Sequence, residues 1–154
     1  MTPITIRHCA ATELLDAPNR HQLWDEYALE SSISGLPHPN VQIETYRILE
    51  EKGVLKLIGA FDDQTLIGFV SILANVLPHY GVVMAITESF FVLKDYRKTG
   101  AGLKLLREAE QYARSIKAPG LLVSAPYGGR LAEVLPRVGY DETNRVFYKR
   151  LDHE

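Results

Sequence analysis

The chain has 154 residues, 46% of them hydrophobic and 23% charged, which is typical of one soluble globular domain that we expect to span residues 1–154. The formal net charge is −2 and the basic residues are scattered, which argues against a nucleic-acid partner. No apolar run is long enough to cross a bilayer and no signal-peptide pattern opens the sequence, so we expect a cytoplasmic protein without a membrane partner.

The N-terminal third of the chain changes from a strand pattern to helical patterns. Ile4–Cys9 alternates like a short strand, and the single cysteine, Cys9, is expected to pack in the core. Residues 12–32 carry helical spacing, interrupted by a proline, and residues 41–52 are helical again. Between them, residues 31–40 are rich in turn formers and long enough for a binding loop. One cysteine and no paired histidine spacing predict no metal site.

The middle of the chain has the spacing of a strand meander followed by a crossover. Residues 54–61, 65–77 and 82–93 alternate like strands and are separated by turn formers. An amphipathic helix is predicted from about residue 100 to 117, with one apolar stripe that includes Leu103, Leu106 and Ala109. A short apolar strand at 121–125 should then run parallel to the strand of 82–93.

The last part of the chain completes the predicted topology. A short helix from about 129 to 138 precedes a strand that contains residues 146–149. The predicted fold class is α/β (α+β), with a mixed, mostly antiparallel twisted sheet, flanking helices and the order β-α-α-β-β-β-α-β-α-β.

The segment 97–102, Arg-Lys-Thr-Gly-Ala-Gly, joins a predicted strand to a predicted helix. Backbone N–H groups at a helix N-terminus can converge there on an anion, and glycines let a pyrophosphate approach the backbone. Positive charge for outer phosphates is available from Lys94, Arg97, Lys98 and Lys104. The signatures of P-loop and Rossmann phosphate sites are missing, which makes ATP or NAD the weaker interpretation.

Residues 88–103, ESFFVLKDYRKTGAGL, resemble the cofactor-binding motif of the GNAT superfamily of N-acetyltransferases. The predicted element order is similar to that family along almost the whole chain, and Leu135-Pro136-Arg137-Val138-Gly139-Tyr140 is similar to its late helix. The resemblance implies an acyltransferase that moves an acetyl group from acetyl-CoA to a primary amine by direct attack in a ternary complex. A homodimer is plausible by the same analogy.

The resemblance also assigns cofactor residues. Backbone groups of Val92 and Leu93 would pair with the pantetheine arm, and one of their N–H groups would stabilise the tetrahedral intermediate. Around the pyrophosphate the resemblance implies Lys94, Arg97, Lys98, Thr99, Gly100, Ala101, Gly102 and Leu103.

Glu88 is the candidate for handling the amine proton. An amine such as that of lysine has a pKa of about 10.4 and must lose a proton before it can attack. Alternation places Glu88 on the same strand face as Phe90 and Val92, close to the expected thioester. Relatives that resemble polyamine acetyltransferases carry a glutamate in this register. The alternative is a structural acid that is paired or faces solvent.

Other candidates for acid–base groups are weaker. His79, in the turn before the Glu88 strand, could act as a base or hold substrate. Many GNAT enzymes protonate the leaving thiolate with a tyrosine four residues before the late glycine, and that position here is Leu135. Tyr127 is the nearest substitute, with water as the alternative. The acids Asp25, Glu26 and Glu30 could attract a cationic substrate or form a solvated helix face.

Leu135 also leaves room for another class of protein. A non-catalytic acyl-CoA-binding or interaction domain on the same fold would bind the cofactor tightly without transfer, and it would be indifferent to Glu88→Gln.

Overall fold

A computed structural model describes residues 3–151 and contains one five-stranded sheet in the order β1-β2-β3-β4-β5. The strands are β1 Ile4–His8, β2 Leu55–Asp62, β3 Thr65–Leu77, β4 Val82–Val92 and β5 Leu121–Leu122. The first four are antiparallel neighbours, and β5 runs parallel to β4. This mixed, mostly antiparallel sheet with flanking helices confirms the predicted fold class.

Helices connect and cover the sheet. They are α1 Ala11–Asp16, α2 Arg20–Ser31, α3 Ile43–Glu51, α4 Ala101–Ser115 and α5 Arg130–Val134, with 3-10 segments at Lys94–Thr99 and Leu135–Val138. Three helices therefore precede β2, one more than the predicted order allows. The helical region is divided beside Pro18, because proline offers no N–H to an i−4 carbonyl. The late helix changes to 3-10 geometry around Pro136.

The predicted strand at 146–149 is wrong. No regular secondary structure follows Val138 in the described part of the chain. A strand needs a neighbour to satisfy its backbone, and β5 is only two residues long instead of the predicted 121–125. Val146 and Phe147 are 89% and 87% exposed. Tyr148 instead lies against the 31–40 loop, with its Oη 3.3 Å from the position of a Cβ on Gly35.

The core lies between the sheet and the helices α2 and α4. Leu23, Phe69 and Leu105 are fully buried there. The buried face of α4 includes Leu105 in place of the predicted Leu103, which is 37% exposed. The helix begins at Ala101, one residue after the predicted start. Its buried stripe is slightly rotated about the helix axis from the predicted stripe.

The sheet opens between β4 and β5. The two strands pair only at Ala85–Leu121 and Ile86–Leu122, and beyond Ile86 the described part of β4 pairs with β3 alone. The Thr87 hydroxyl accepts a hydrogen bond from the Ser124 N–H at 3.1 Å, which replaces a ladder bond as the chain leaves the sheet. One edge of β4 is consequently open along the residues that lead to the 97–102 loop.

Candidate functional site

Glu88 is the extra residue of a β-bulge in β4. Ser71 pairs with Ser89 and the next residue, Ile72, pairs with Thr87, so Glu88 has no partner on β3. Bulges redirect side chains, often beside active sites. The sequence predicted that Glu88 shares a strand face with Phe90 and Val92. That prediction depended on regular alternation, which the bulge interrupts. Glu88 and its neighbour Ser89 now line the same cavity.

Two hydroxyl groups hold the Glu88 carboxylate. The Tyr46 hydroxyl lies 3.0 and 2.9 Å from its two oxygens, and the Ser71 hydroxyl donates to Oε2 at 2.6 Å. Ser71 has one proton to donate, so its 2.6 Å contact with Ser89 Oγ must use the Ser89 proton. Ser71 Oγ also accepts from the Ser89 N–H at 3.0 Å. The network thereby orients a carboxylate by donors alone.

The cavity beside Glu88 has a volume of about 340 Å³. Its walls are the α2 side chains Trp24 and Tyr27, the 39–42 loop, α3 and the strands β2 to β4. Trp24 and Tyr27 meet edge to face with ring centroids 6.2 Å apart, and Tyr27 packs in the same way on Phe91 at 5.5 Å. The cavity therefore has a rigid aromatic wall next to one carboxylate.

The tyrosines around the carboxylate stay neutral. Burial, together with the negative charge of Glu88, raises the pKa of both Tyr27 and Tyr46 above the ordinary tyrosine value. Both phenols are protonated near neutral pH. They can donate hydrogen bonds or pack on an apolar group, and they cannot compete with Glu88 for a cation as phenolates.

The 94–103 segment forms the expected turn into a helix. Lys94–Thr99 is a 3-10 turn, Gly100 has a φ of 82° and α4 begins at Ala101. This φ lies in the left-handed region, which glycine adopts without strain because it has no Cβ. A Cβ added to Gly102 would meet only Val92 Cγ2, at 3.8 Å, so this residue could carry a side chain as far as the fold is concerned. The Ala101 N–H donates to Thr99 Oγ1 at 3.3 Å, and the N–H groups that follow it in the first turn point out of the helix end, where they can meet an anion.

The acids of α2 contact this loop. Glu30 forms a 2.6 Å ion pair with Arg97, and the Lys94 N–H donates to Glu26 Oε2 at 3.2 Å. Arg97 Nε also donates to the Val92 carbonyl oxygen at 3.1 Å. Neither of these two acids lines the cavity beside Glu88. The sequence predicted either a substrate clamp or a solvated helix face for these acids, and the structure places Glu26 and Glu30 at the 94–103 segment.

Val92 and Leu93 differ in what they can offer. The Leu93 N–H donates to the Ile67 carbonyl oxygen at 2.8 Å and is occupied by the sheet. Because successive N–H groups along a strand point in opposite directions, the Val92 N–H points toward the open edge of β4. Of the two candidate donors, Val92 is the one placed to meet a ligand.

The remaining acid–base candidates lie elsewhere. His79 stacks on Tyr80, with ring centroids 4.2 Å apart, at the tip of the β3–β4 hairpin, where it lines a second cavity. The tip is beyond Val82, which is about 20 Å from Glu88 along a strand. Tyr127 is fully exposed and Leu135 is buried. The structure does not bring His79 or Tyr127 to the cavity beside Glu88.

Sequence reasoning missed the groups that hold and surround Glu88. Ser71 gave a usable signal, because it is the one polar side chain between Leu66 and Leu73, and a buried hydroxyl needs partners. Trp24 and Tyr27 are three residues apart and therefore share a helix face. Tyr46 gave no signal, since its contact with Glu88 spans 42 residues.

The comparisons with known proteins agree with this geometry. The profile described as "Acetyltransferase (GNAT) family" matches residues 20–126, which is more than half of the chain. The chain therefore belongs to the GNAT acetyltransferase family, and the resemblance found in residues 88–103 is confirmed. No curated protein matches the sequence significantly.

Solved structures share the fold at low sequence identity. A ribosomal-protein-alanine N-acetyltransferase from Brucella melitensis is 18% identical with a TM-score of 0.71, covering 96% of this chain and 97% of that one. An aminoglycoside 6'-N-acetyltransferase from Acinetobacter baumannii is 20% identical with a TM-score of 0.69 and coverages of 98% and 99%. An aminoglycoside acetyltransferase from an uncultured soil sample is 17% identical, with a TM-score of 0.72 and 97% coverage of both chains.

Among residues 3–151, no helix is long and apolar enough to cross a membrane. The same residues contain no group of three or more His, Cys, Asp or Glu side chains that could hold a metal ion.

Proposed function

We propose that this protein transfers an acetyl group from acetyl-CoA to a primary amine by direct attack in a ternary complex. The observation that carries the proposal is the bulged Glu88, whose carboxylate Tyr46 and Ser71 hold beside a cavity. This carboxylate lies on the strand whose open edge runs into the glycine loop of α4. Acceptor, thioester and pyrophosphate would thus occupy consecutive places along one strand and the helix that follows it.

Glu88 is the group that handles the amine proton. It binds the incoming ammonium and accepts its proton, directly or through one water, so that the nitrogen can attack the thioester carbonyl. The Val92 N–H stabilises the negative oxygen of the tetrahedral intermediate. The N–C bond forms, the nitrogen releases its second proton to water, and the C–S bond breaks as the intermediate collapses. The thiolate takes its proton from water, because a thiol pKa of about 8.5 makes an enzyme acid dispensable.

The glycine loop holds the pyrophosphate. The N–H groups at the start of α4 and the charges of Lys98 and Arg97 would surround it, and Gly102 leaves room for its approach. Arg97 is already paired with Glu30, so the pyrophosphate competes with this carboxylate for the guanidinium.

Thermal shift with acetyl-CoA, CoA, ATP and NAD tests the cofactor. A ligand at 100 times its dissociation constant stabilises a protein by about 2.7 kcal/mol, and we expect that effect from acetyl-CoA and CoA only. Gly102→Ala is the matched variant: its methyl group is tolerated by the fold but faces the loop, so the shift should shrink. Gly120→Ala, where an added Cβ meets nothing within 4 Å, is the control. If neither acetyl-CoA nor CoA raises the melting temperature, the proposal is refuted.

One observation favours a second function, a non-catalytic acyl-CoA-binding domain. Leu135 is buried where many GNAT enzymes place a tyrosine, and Tyr127 is too exposed to replace it. Such a domain would show the same thermal shifts but no amine-dependent release of CoA. Glu88→Gln would then change neither quantity.

A further inference from the structure

We infer that the acceptor is a primary monoamine on an apolar or aromatic body, and that polyamines and other polycations are poor acceptors. This inference rests on the proposed function, since it takes the cavity beside Glu88 as the acceptor site. It concerns the walls of that cavity, and it can also be tested by binding alone.

The cavity offers one charge to a ligand. Glu88 is the only charged side chain among the described residues that line it, and the others include Trp24, Tyr46, Leu49 and Leu73. One ammonium group can pair with Glu88. Glu88 is itself exposed, and a second ammonium held within about 340 Å³ would lie beside apolar walls without a carboxylate partner and would lose part of its hydration, which is unfavourable.

Neighbouring acids are engaged with other groups. On α2, Glu30 pairs with Arg97 and Glu26 accepts from the Lys94 N–H. On α3, Glu44 and Glu51 both pair with Arg47. A polycation would have to break these contacts to gain a second partner. Among residues 3–151, the lining of the cavity therefore lacks the ring of acids that recognition of several ammonium groups requires.

The walls suit the rest of a monoamine. Trp24 and Tyr27 form an edge-to-face pair, and Tyr46 directs its hydroxyl at Glu88, which leaves its ring for packing. An aromatic body gains burial and ring contacts there, and an ammonium beside these rings is further stabilised by their faces.

Binding can be followed without turnover because Trp24 is the single tryptophan of the chain. The probes are butylamine and 1,4-diaminobutane, which have the same four-carbon chain and differ by one ammonium group, together with 2-phenylethylamine. Titration of the protein saturated with CoA, followed by Trp24 fluorescence, should show 1,4-diaminobutane binding at least about tenfold more weakly than butylamine. The aromatic amine should bind more tightly than butylamine.

A second variant changes the selectivity in a predicted direction. Gln42 is exposed and lines the cavity, so Gln42→Glu adds a second carboxylate without changing the shape. Gln42→Glu should strengthen diamine binding and reduce the difference in affinity between butylamine and 1,4-diaminobutane. Gln111→Glu makes the same change on the outer side of α4 and should leave that difference unchanged. Equal or tighter binding of the diamine by wild type, or no binding of any monoamine, overturns the inference. Selective monoamine binding without acetyl transfer upholds the selectivity of the cavity and refutes the proposed function.

Discussion

Replacing Glu88 by glutamine removes the proposed base while keeping the shape of the site. The Gln carbonyl oxygen can accept from Ser71, and its amide can donate to Tyr46 Oη, which has free lone pairs. In the opposite orientation the amide can donate to Ser71 Oγ, whose proton then goes to Ser89 Oγ, since either hydroxyl of this pair can be the donor. We therefore expect Glu88→Gln to fold with nearly unchanged stability and to bind acetyl-CoA normally.

The loss should appear in the chemical step. A positioned general base contributes about 10²–10⁴ in rate, which corresponds to about 3–5 kcal/mol of transition-state stabilisation. Without Glu88, only the amine that is already neutral can react, and this fraction rises tenfold per pH unit up to the amine pKa of about 10.4. The difference from wild type should thus be largest near neutral pH and shrink as the pH rises.

The assay follows release of the CoA thiol with butylamine as acceptor, for wild type, Glu88→Gln and the exposed control Glu133→Gln. An unchanged kcat/KM in Glu88→Gln, or a deficit that is constant over pH, would refute the assignment of Glu88 as the proton acceptor. A large loss in Glu133→Gln would show that the effect is not specific to the site.

Three further predictions follow from contacts around the site. Tyr46→Phe removes one donor to Glu88 and should lower the free energy of unfolding by about 1–2 kcal/mol. Because the native pKa of Tyr46 is raised, the wild type should lose stability above pH about 10, where the unfolded tyrosine ionises. Denaturant midpoints should therefore fall less steeply with rising pH in the variant. Glu30→Gln releases Arg97 from its ion pair and should tighten acetyl-CoA binding severalfold by calorimetry, less so at high salt; weaker binding would contradict the competition. Burial raises the pKa of Cys9 to about 12, so its labelling by a thiol reagent should wait for unfolding, and rapid labelling of the native protein would contradict its burial.

The local pattern of residues 88–103 was enough to predict the strand, the turn and the helix of this segment. Glycine spacing and helix periodicity act over a few residues, so they can be seen without a structure. The meander of β2 to β4 was predicted for the same reason, since alternating hydrophobicity and turn residues are local signals.

The cavity beside Glu88 was decided by tertiary structure. The bulge at Glu88 exists only in the pairing of β4 with β3, and the contact of Glu88 with Tyr46 joins positions far apart in the chain. The prediction of a final strand at 146–149 was wrong for a related reason. Its residues have strand-like spacing, but a strand forms only where a neighbouring edge offers hydrogen bonds, and β5 is two residues long. Local sequence thus predicted the loop that we propose holds the phosphates, while long-range pairing decided which groups surround Glu88.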